Sequence, residues 1–257
     1  MPDVTTAESS APDLFFENLP ENFVFPADAV GRRLMQEYGA VFVARGGAVA
    51  PKTVIFRNEK EVAKFQASLS IKKNQISGFE IELQTAAMEI LENTVAEAES
   101  CYLSITPRGT DSARRSYTET VSLWASRVNP GLTHWFNEGK LSETEGAKIQ
   151  RLSPFEQVSE ILELEANGLF FSKDLSKSIV YSVAPPGSSQ HLSMLALDIN
   201  EHDNPLVRNI LCAHDWFQTV VSDLPHFTFL GVSEIQLPDL GLKQILSGNR
   251  IFWIPDL

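Results

Sequence analysis

The chain has 257 residues, a formal net charge of −12 and a pI near 4.9, a balance that repels nucleic-acid backbones and anionic membrane surfaces. With 43% hydrophobic and 21% charged residues the composition is globular, and the length suffices for one large domain plus an extension. No run approaches the roughly 18 apolar residues of a membrane span, so neither nucleic acid nor a membrane span is expected.

Residues 1–20 read as a flexible polar leader without the basic start and apolar core of a secretory signal. That places the chain in the cytoplasm if Met1 is the true start, and in a periplasmic or extracellular setting if a signal has been removed. Residues 21–77 are expected to form a small α/β extension: a helix over 27–38, strands over 39–44 and 52–56, and a helix over 58–69. The rest, 78–257, is expected to be the main unit. From Gly78 the pattern turns helical, with Leu83, Ala87, Ile90, Leu91, Val95 and Ala98 on one face at three-to-four spacing.

That helix should stop near Ser100, where 101-CYLSIT-106 alternates like a strand before Pro107-Arg108-Gly109 breaks it. A helix over 112–128 follows. The next, over 153–168, has Ser153 as cap, Pro154 at its first position, Glu156 three residues after the cap and Gly168 as stop. Strands over 178–183 and 195–199 flank a turn at 184–189; a helix over 205–221 and strands over 227–232 and 251–254 close the chain. The predicted fold class is α+β, a central antiparallel sheet with helices packed to one side. Cys101 and Cys212 lack the spacing of a thiolate metal site; they are two buried thiols, or one bridge in an oxidising compartment.

Chemistry concentrates in 185-PPGSSQHLSMLALDIN-200 and 223-DLPHF-227. Imidazole and carboxylate are common ligands of catalytic zinc, three from the protein with a fourth position open. His191 and Asp198 flank the start and body of one predicted strand and His226 opens the next, so adjacent antiparallel strands could bring the three together. The seven-residue offset requires a bend at 192-LSM-194. His134, His202 and His214 read as surface or hydrogen-bonded residues, and 108-RGTDSARR-115 as a solvated helix start.

The segment PPGSSQHLSMLALD resembles the PG-x-S-x-H-x-x-G-x-A-x-D signature of the zinc D-alanyl-D-alanine peptidases, which include vancomycin-resistance dipeptidases and carboxypeptidases and share a metal site with hedgehog domains. The resemblance implies Zn2+ held by His191, Asp198 and His226. Through the family's E-x-x-H-[WF] element it implies Asp223 as the catalytic acid and base. An S-x-Y-R-S-like segment is matched to 104-SITPRG-109, which gives Arg108 the role of stabilising the oxyanion or clamping substrate. Ser189 would hold a substrate carboxylate. The expected activity is metal-assisted hydrolysis of a peptide or peptidoglycan stem peptide; the alternative is a catalytically inactive zinc-binding domain that binds the same partners. Two positions depart from the pattern: its glycine is Met194 here, and its catalytic glutamate is Asp223.

Overall fold

The computed structural model describes residues 14–257. The first thirteen residues of the expected leader lie outside them. The last seven begin with α1 (Leu14–Glu17), where Phe15 is fully buried. Next come α2 (Ala29–Tyr38), capped by Asp28, and α3 (Glu59–Gln66), capped by Asn58, both as expected. The predicted strand at 39–44 is instead a 3-10 helix, Gly39–Val43, with every residue buried; a short apolar run has no period that separates a buried strand from a buried helical turn. The strand predicted at 52–56 does not form; the segment bends at Lys52 and Val54 and makes one isolated bridge, from Thr53 to Val24.

The stretch before the long helix holds a hairpin that composition concealed. Strands β1 (Ile71–Ile76) and β2 (Phe79–Gln84) pair antiparallel in full register. They turn at Ser77 and Gly78, both at positive φ, the requirement of a two-residue hairpin turn. The expected divide at 77/78 falls at this corner, and Leu83 belongs to β2 rather than to α4 (Thr85–Ser100).

Residues 101–106 form no strand. Helices α5 (Tyr117–Asn137), α6 (Glu143–Arg151) and α7 (Pro154–Ala166) each open with the same Ser-x-x-Glu box, at Ser116/Glu119, Ser142/Glu145 and Ser153/Glu156. That box fixes α5 five residues later than its apolar pattern suggests and accounts for α6, which lacks a broad apolar face. The predicted strand at 178–183 is a 3-10 turn, Ile179–Tyr181.

Three strands carry the centre of the molecule: β3 (Ala196–Asp198), β4 (Trp216–Phe217) and β5 (His226–Phe229), in the order β3-β5-β4 and antiparallel. Between them α8 (Pro205–Ala213) stops well short of 221, where His214 leads to Asp215 at positive φ. The C-terminal hairpin pairs β6 (Leu242–Ser247) with β7 (Arg250–Pro255). Helices and antiparallel strands are thus both present, as expected, but the strands make three small sheets rather than one central sheet.

The N-terminal residues are stitched into the rest. Arg45 N donates to Leu230 O at 2.8 Å and Phe56 N to Gly187 O at 2.9 Å. Gln66 Nε2 donates to Arg115 O at 2.8 Å, and Gln84 Nε2 to Ser193 O at 2.7 Å. Gly187 can be nothing else, because its φ is +81° and a Cβ there would lie 1.8 Å from Phe56 O. β3 is buried on both faces among Trp216, Phe227 and Phe229. The side chains it projects are therefore held rigidly.

Candidate metal centre

Asp198 and His226 are direct partners across β3 and β5. The Asp198 N–H goes to Ser112 O and the His226 N–H to Asp223 O, so the pair is of the type that does not exchange main-chain bonds, whose side chains stand close on one face. His191 arrives from the preceding 3-10 turn, Gln190–Ser193. The bend expected at 192–194 is made by Met194 at φ 60°, ψ 30°, the left-handed conformation that a glycine would adopt without cost. Its side chain is fully buried.

One ligand atom from each of His191, Asp198 and His226 lies within 4.8 Å of the others. Asp198 Oδ1 is 3.3 Å from His191 Nε2 and 3.0 Å from His226 Nδ1. The imidazole rings stand edge to face with centroids 4.9 Å apart. His191 Nδ1 is 2.8 Å from Ala113 O; a main-chain carbonyl only accepts, so Nδ1 carries the hydrogen and Nε2 a lone pair. That Nε2 is buried without a hydrogen-bond partner, its line to Asp198 being too oblique for one. A buried, unpartnered nitrogen lone pair beside a carboxylate is what a cation satisfies.

Charge states agree with that donor set. Burial pushes the His191 imidazole below its ordinary pKa, toward the neutral form. Burial alone would raise the Asp198 carboxyl, but the facing imidazoles of His191 and His226 outweigh it and hold the group well below the usual range. Neutral imidazole and ionised carboxylate are the forms in which these groups bind metal. The residues present therefore fit a zinc ion with two nitrogen ligands, one oxygen ligand and an open side.

The open side faces a cavity of about 120 Å³ lined by Tyr38, Ser189, Gln190, His191, Asp223 and His226, among others. Asp223 is exposed at its mouth and Ser189 is buried in its wall. Arg108 is exposed, and the main-chain bond from its N–H to Asp198 O, 3.1 Å, is what links it to the cluster.

Arg115 reaches the cluster with its side chain. Its Nη2 lies 3.0 Å from Asp198 Oδ2, and its Nε donates to Asp111 O. The segment 108–115 is not a solvated helix start; it wraps over the centre, supplying the carbonyls of Ser112 and Ala113 to Asp198 and His191. A signal for Arg115 was present in the sequence: Arg115-Ser116 has the R-S order of the S-x-Y-R-S pattern, whereas Arg108 precedes Gly109.

His202 and His214 lie away from the cluster, His214 paired with Glu97 and His202 beside Asp203. Cys101 is exposed and Cys212 half-buried, both free, and burial pushes the Cys212 thiol up to about 12. Among the described residues no helix is long and apolar enough to cross a membrane.

No family model matches the chain, and no curated protein matches it. A solved structure similar to it is that of a point mutant of the vancomycin resistance D,D-pentapeptidase VanY from a VanB-type resistance cassette, in complex with Zn(II). The identity is 15% and the TM-score 0.35, over 64% of this chain and 82% of that one. A likeness that loose carries no weight beside the geometry above.

Proposed function

We propose that the chain is a zinc-dependent hydrolase acting on a peptide that ends in D-alanyl-D-alanine, as in peptidoglycan stem peptides. The observation that carries the metal and the hydrolysis is the convergence of His191 Nε2, Asp198 Oδ1 and His226 Nδ1 beside a cavity. The choice of substrate rests on the resemblance of residues 185–198 and 223–227 to the D-alanyl-D-alanine peptidases.

Bound zinc supplies a lowered pKa for water at the open position and polarises the scissile carbonyl. The chain's own groups do the rest. Arg115 and the two histidines keep Asp198 ionised and aimed. Asp223, at the cavity mouth, takes the proton of the attacking water and passes it to the leaving amine. Arg108, exposed and linked to the cluster through its main chain, clamps the terminal carboxylate that such a substrate carries, and Ser189 donates to it from the wall.

One feature favours a second reading, a zinc-binding domain that holds such a peptide without cleaving it: the acid is an aspartate, one methylene shorter than glutamate. A misplacement of about 1 Å can cost on the order of a hundredfold in rate. The test is hydrolysis of D-alanyl-D-alanine-ended peptides by wild type, Asp223→Ala and Asp223→Glu, with zinc content measured in each. The hydrolase requires turnover in wild type and its loss in the alanine variant. Full zinc with no cleavage by wild type or by the glutamate variant leaves the binding domain.

A further inference from the structure

We infer that Gln190 is a positioning residue for the metal centre: anchored by the main chain at Tyr38, it keeps a hydrogen on His226 Nε2 and so reserves His226 Nδ1 for the ion. This rests on the zinc-site reading above.

Gln190 is 3% exposed, and its amide can be placed only one way round. One end lies 2.9 Å from Tyr38 O; a main-chain carbonyl accepts only, so that end is the nitrogen. The other end is Oε1, which accepts from Thr228 Oγ1 and sits 2.8 Å from His226 Nε2. With the ion on Nδ1, the hydrogen of the ring sits on Nε2 and is donated to Oε1. Without the ion the ring stands between two acceptors, Oε1 and Asp198 Oδ1, the latter 3.0 Å from Nδ1.

His191 is locked in the corresponding way by a carbonyl, Ala113 O, which cannot rotate. His226 is locked by a side chain, which can. What stops the rotation is Tyr38, the last residue of α2, itself held by its hydroxyl on Val180 O at 2.7 Å. The N-terminal residues, whose sequence offers no role, thus supply the fixed point of the second histidine.

Removing the acceptor has a definite consequence. With nothing to receive the Nε2 hydrogen, the ring places its hydrogen on Nδ1 and donates it to Asp198 Oδ1, a charge-assisted bond. That bond occupies both atoms that the ion needs. Loss of such an orienting partner typically weakens metal binding by about 10–100-fold.

The experiment compares the full-length wild type with Gln190→Leu and Gln190→Glu. Long-range nitrogen–proton NMR of the imidazoles is recorded without and with zinc, and zinc affinity is measured by chelator competition. Zinc-bound wild-type His226 is expected to carry hydrogen on Nε2. Gln190→Leu is expected to leave metal-free His226 in the Nδ1–H form and to bind zinc about 10–100-fold more weakly. Gln190→Glu, buried and protonated, keeps a donor for Tyr38 O and an acceptor for His226; it should lose no more than about threefold in affinity. Zinc-bound wild-type His226 with bare Nε2 overturns the inference without any variant, even if Gln190→Leu does not fold. So does Gln190→Leu with unchanged affinity. If wild type binds no zinc, the zinc-site reading fails and the inference with it; zinc bound equally well by wild type and Gln190→Leu overturns the role of Gln190 alone.

Discussion

Arg115 grips one oxygen of Asp198 and leaves the other to the histidines: Nη2 lies 3.0 Å from Oδ2, while Oδ1 faces His191 and His226. The carboxylate is thereby presented to an ion through a single oxygen. Arg115→Ala frees the group to rotate, and zinc affinity is expected to fall by about 10–100-fold, measured by chelator competition. Arg115→Lys should fall between, because an ammonium restores the charge but not the fork geometry.

Arg108 should behave differently. Its exposed side chain has no part in the ligand cluster, so Arg108→Ala is expected to leave zinc content unchanged and to lower turnover by roughly one to two orders of magnitude. Reduced zinc binding with unaltered turnover per bound ion would assign Arg108 to folding instead.

Zinc held by His191, Asp198 and His226 would tie β3 to β5 in the folded chain, so its removal should show in thermal stability. At a free concentration about a thousandfold above Kd, the ion contributes about 4 kcal/mol. For a chain of this size that is a rise in Tm on the order of 10 °C. Scanning with and without a chelator, in wild type and in His226→Ala, checks it; the variant should show no chelator effect.

Met194 has a fully buried side chain and a left-handed backbone, so two costs can be separated there. Met194→Ala and Met194→Gly both remove the side chain and should destabilise by about 2–5 kcal/mol. Between the two deletions, Met194→Gly should be the more stable by on the order of 1 kcal/mol, since only glycine adopts this conformation freely. Denaturant unfolding of both variants measures the difference.

Glu165 is a buried carboxylate that accepts from Phe171 N at 3.0 Å, Ile179 N at 2.6 Å and the Ser178 hydroxyl. It fastens the loop after α7 to the segment that forms one wall of the cavity. Glu165→Ala leaves buried N–H groups unpaired and should cost about 3 kcal/mol, read by denaturant unfolding.

Much of the centre could be read from the chain because ligand chemistry is local. His191, Asp198 and His226 stand on short segments whose residue types supply the donor atoms, and the resemblance of 185–198 and 223–227 to the D-alanyl-D-alanine peptidases singled the three out. Arg115 and Gln190 were harder. An arginine that bonds a carboxylate 83 positions away looks, in sequence, like any arginine beside a helix start. Gln190 acquires its role only from the carbonyl of Tyr38. Among the elements, those with explicit caps, α2, α3 and α7, were legible. The strand expected at 39–44 failed because a wholly apolar run has no period, and the hairpin β1-β2 was missed because β1 carries polar Lys72 and Asn74 on its half-buried face, bonded to Glu92, and Ile71 on its exposed one, so it shows no apolar alternation beside the strong helical pattern that follows.

The order in which the parts are made follows from where they lie. Tyr38 meets Gln190 across 152 positions and Ala113 meets His191 across 78, while His226 is the last ligand to be synthesised. At about 5–20 residues per second on the ribosome, roughly 8–30 s separate Tyr38 from its partner. Throughout that interval the apolar run at 39–43 has α2 beside it but not β7, the other element it packs against. No growing chain holds a complete ligand set until β5 has left the exit tunnel, and contacts this distant in sequence form slowly. Zinc held by these three ligands would therefore be taken up only after β5 has emerged, and a truncation before His226 would leave a product that could neither close the centre nor retain the ion.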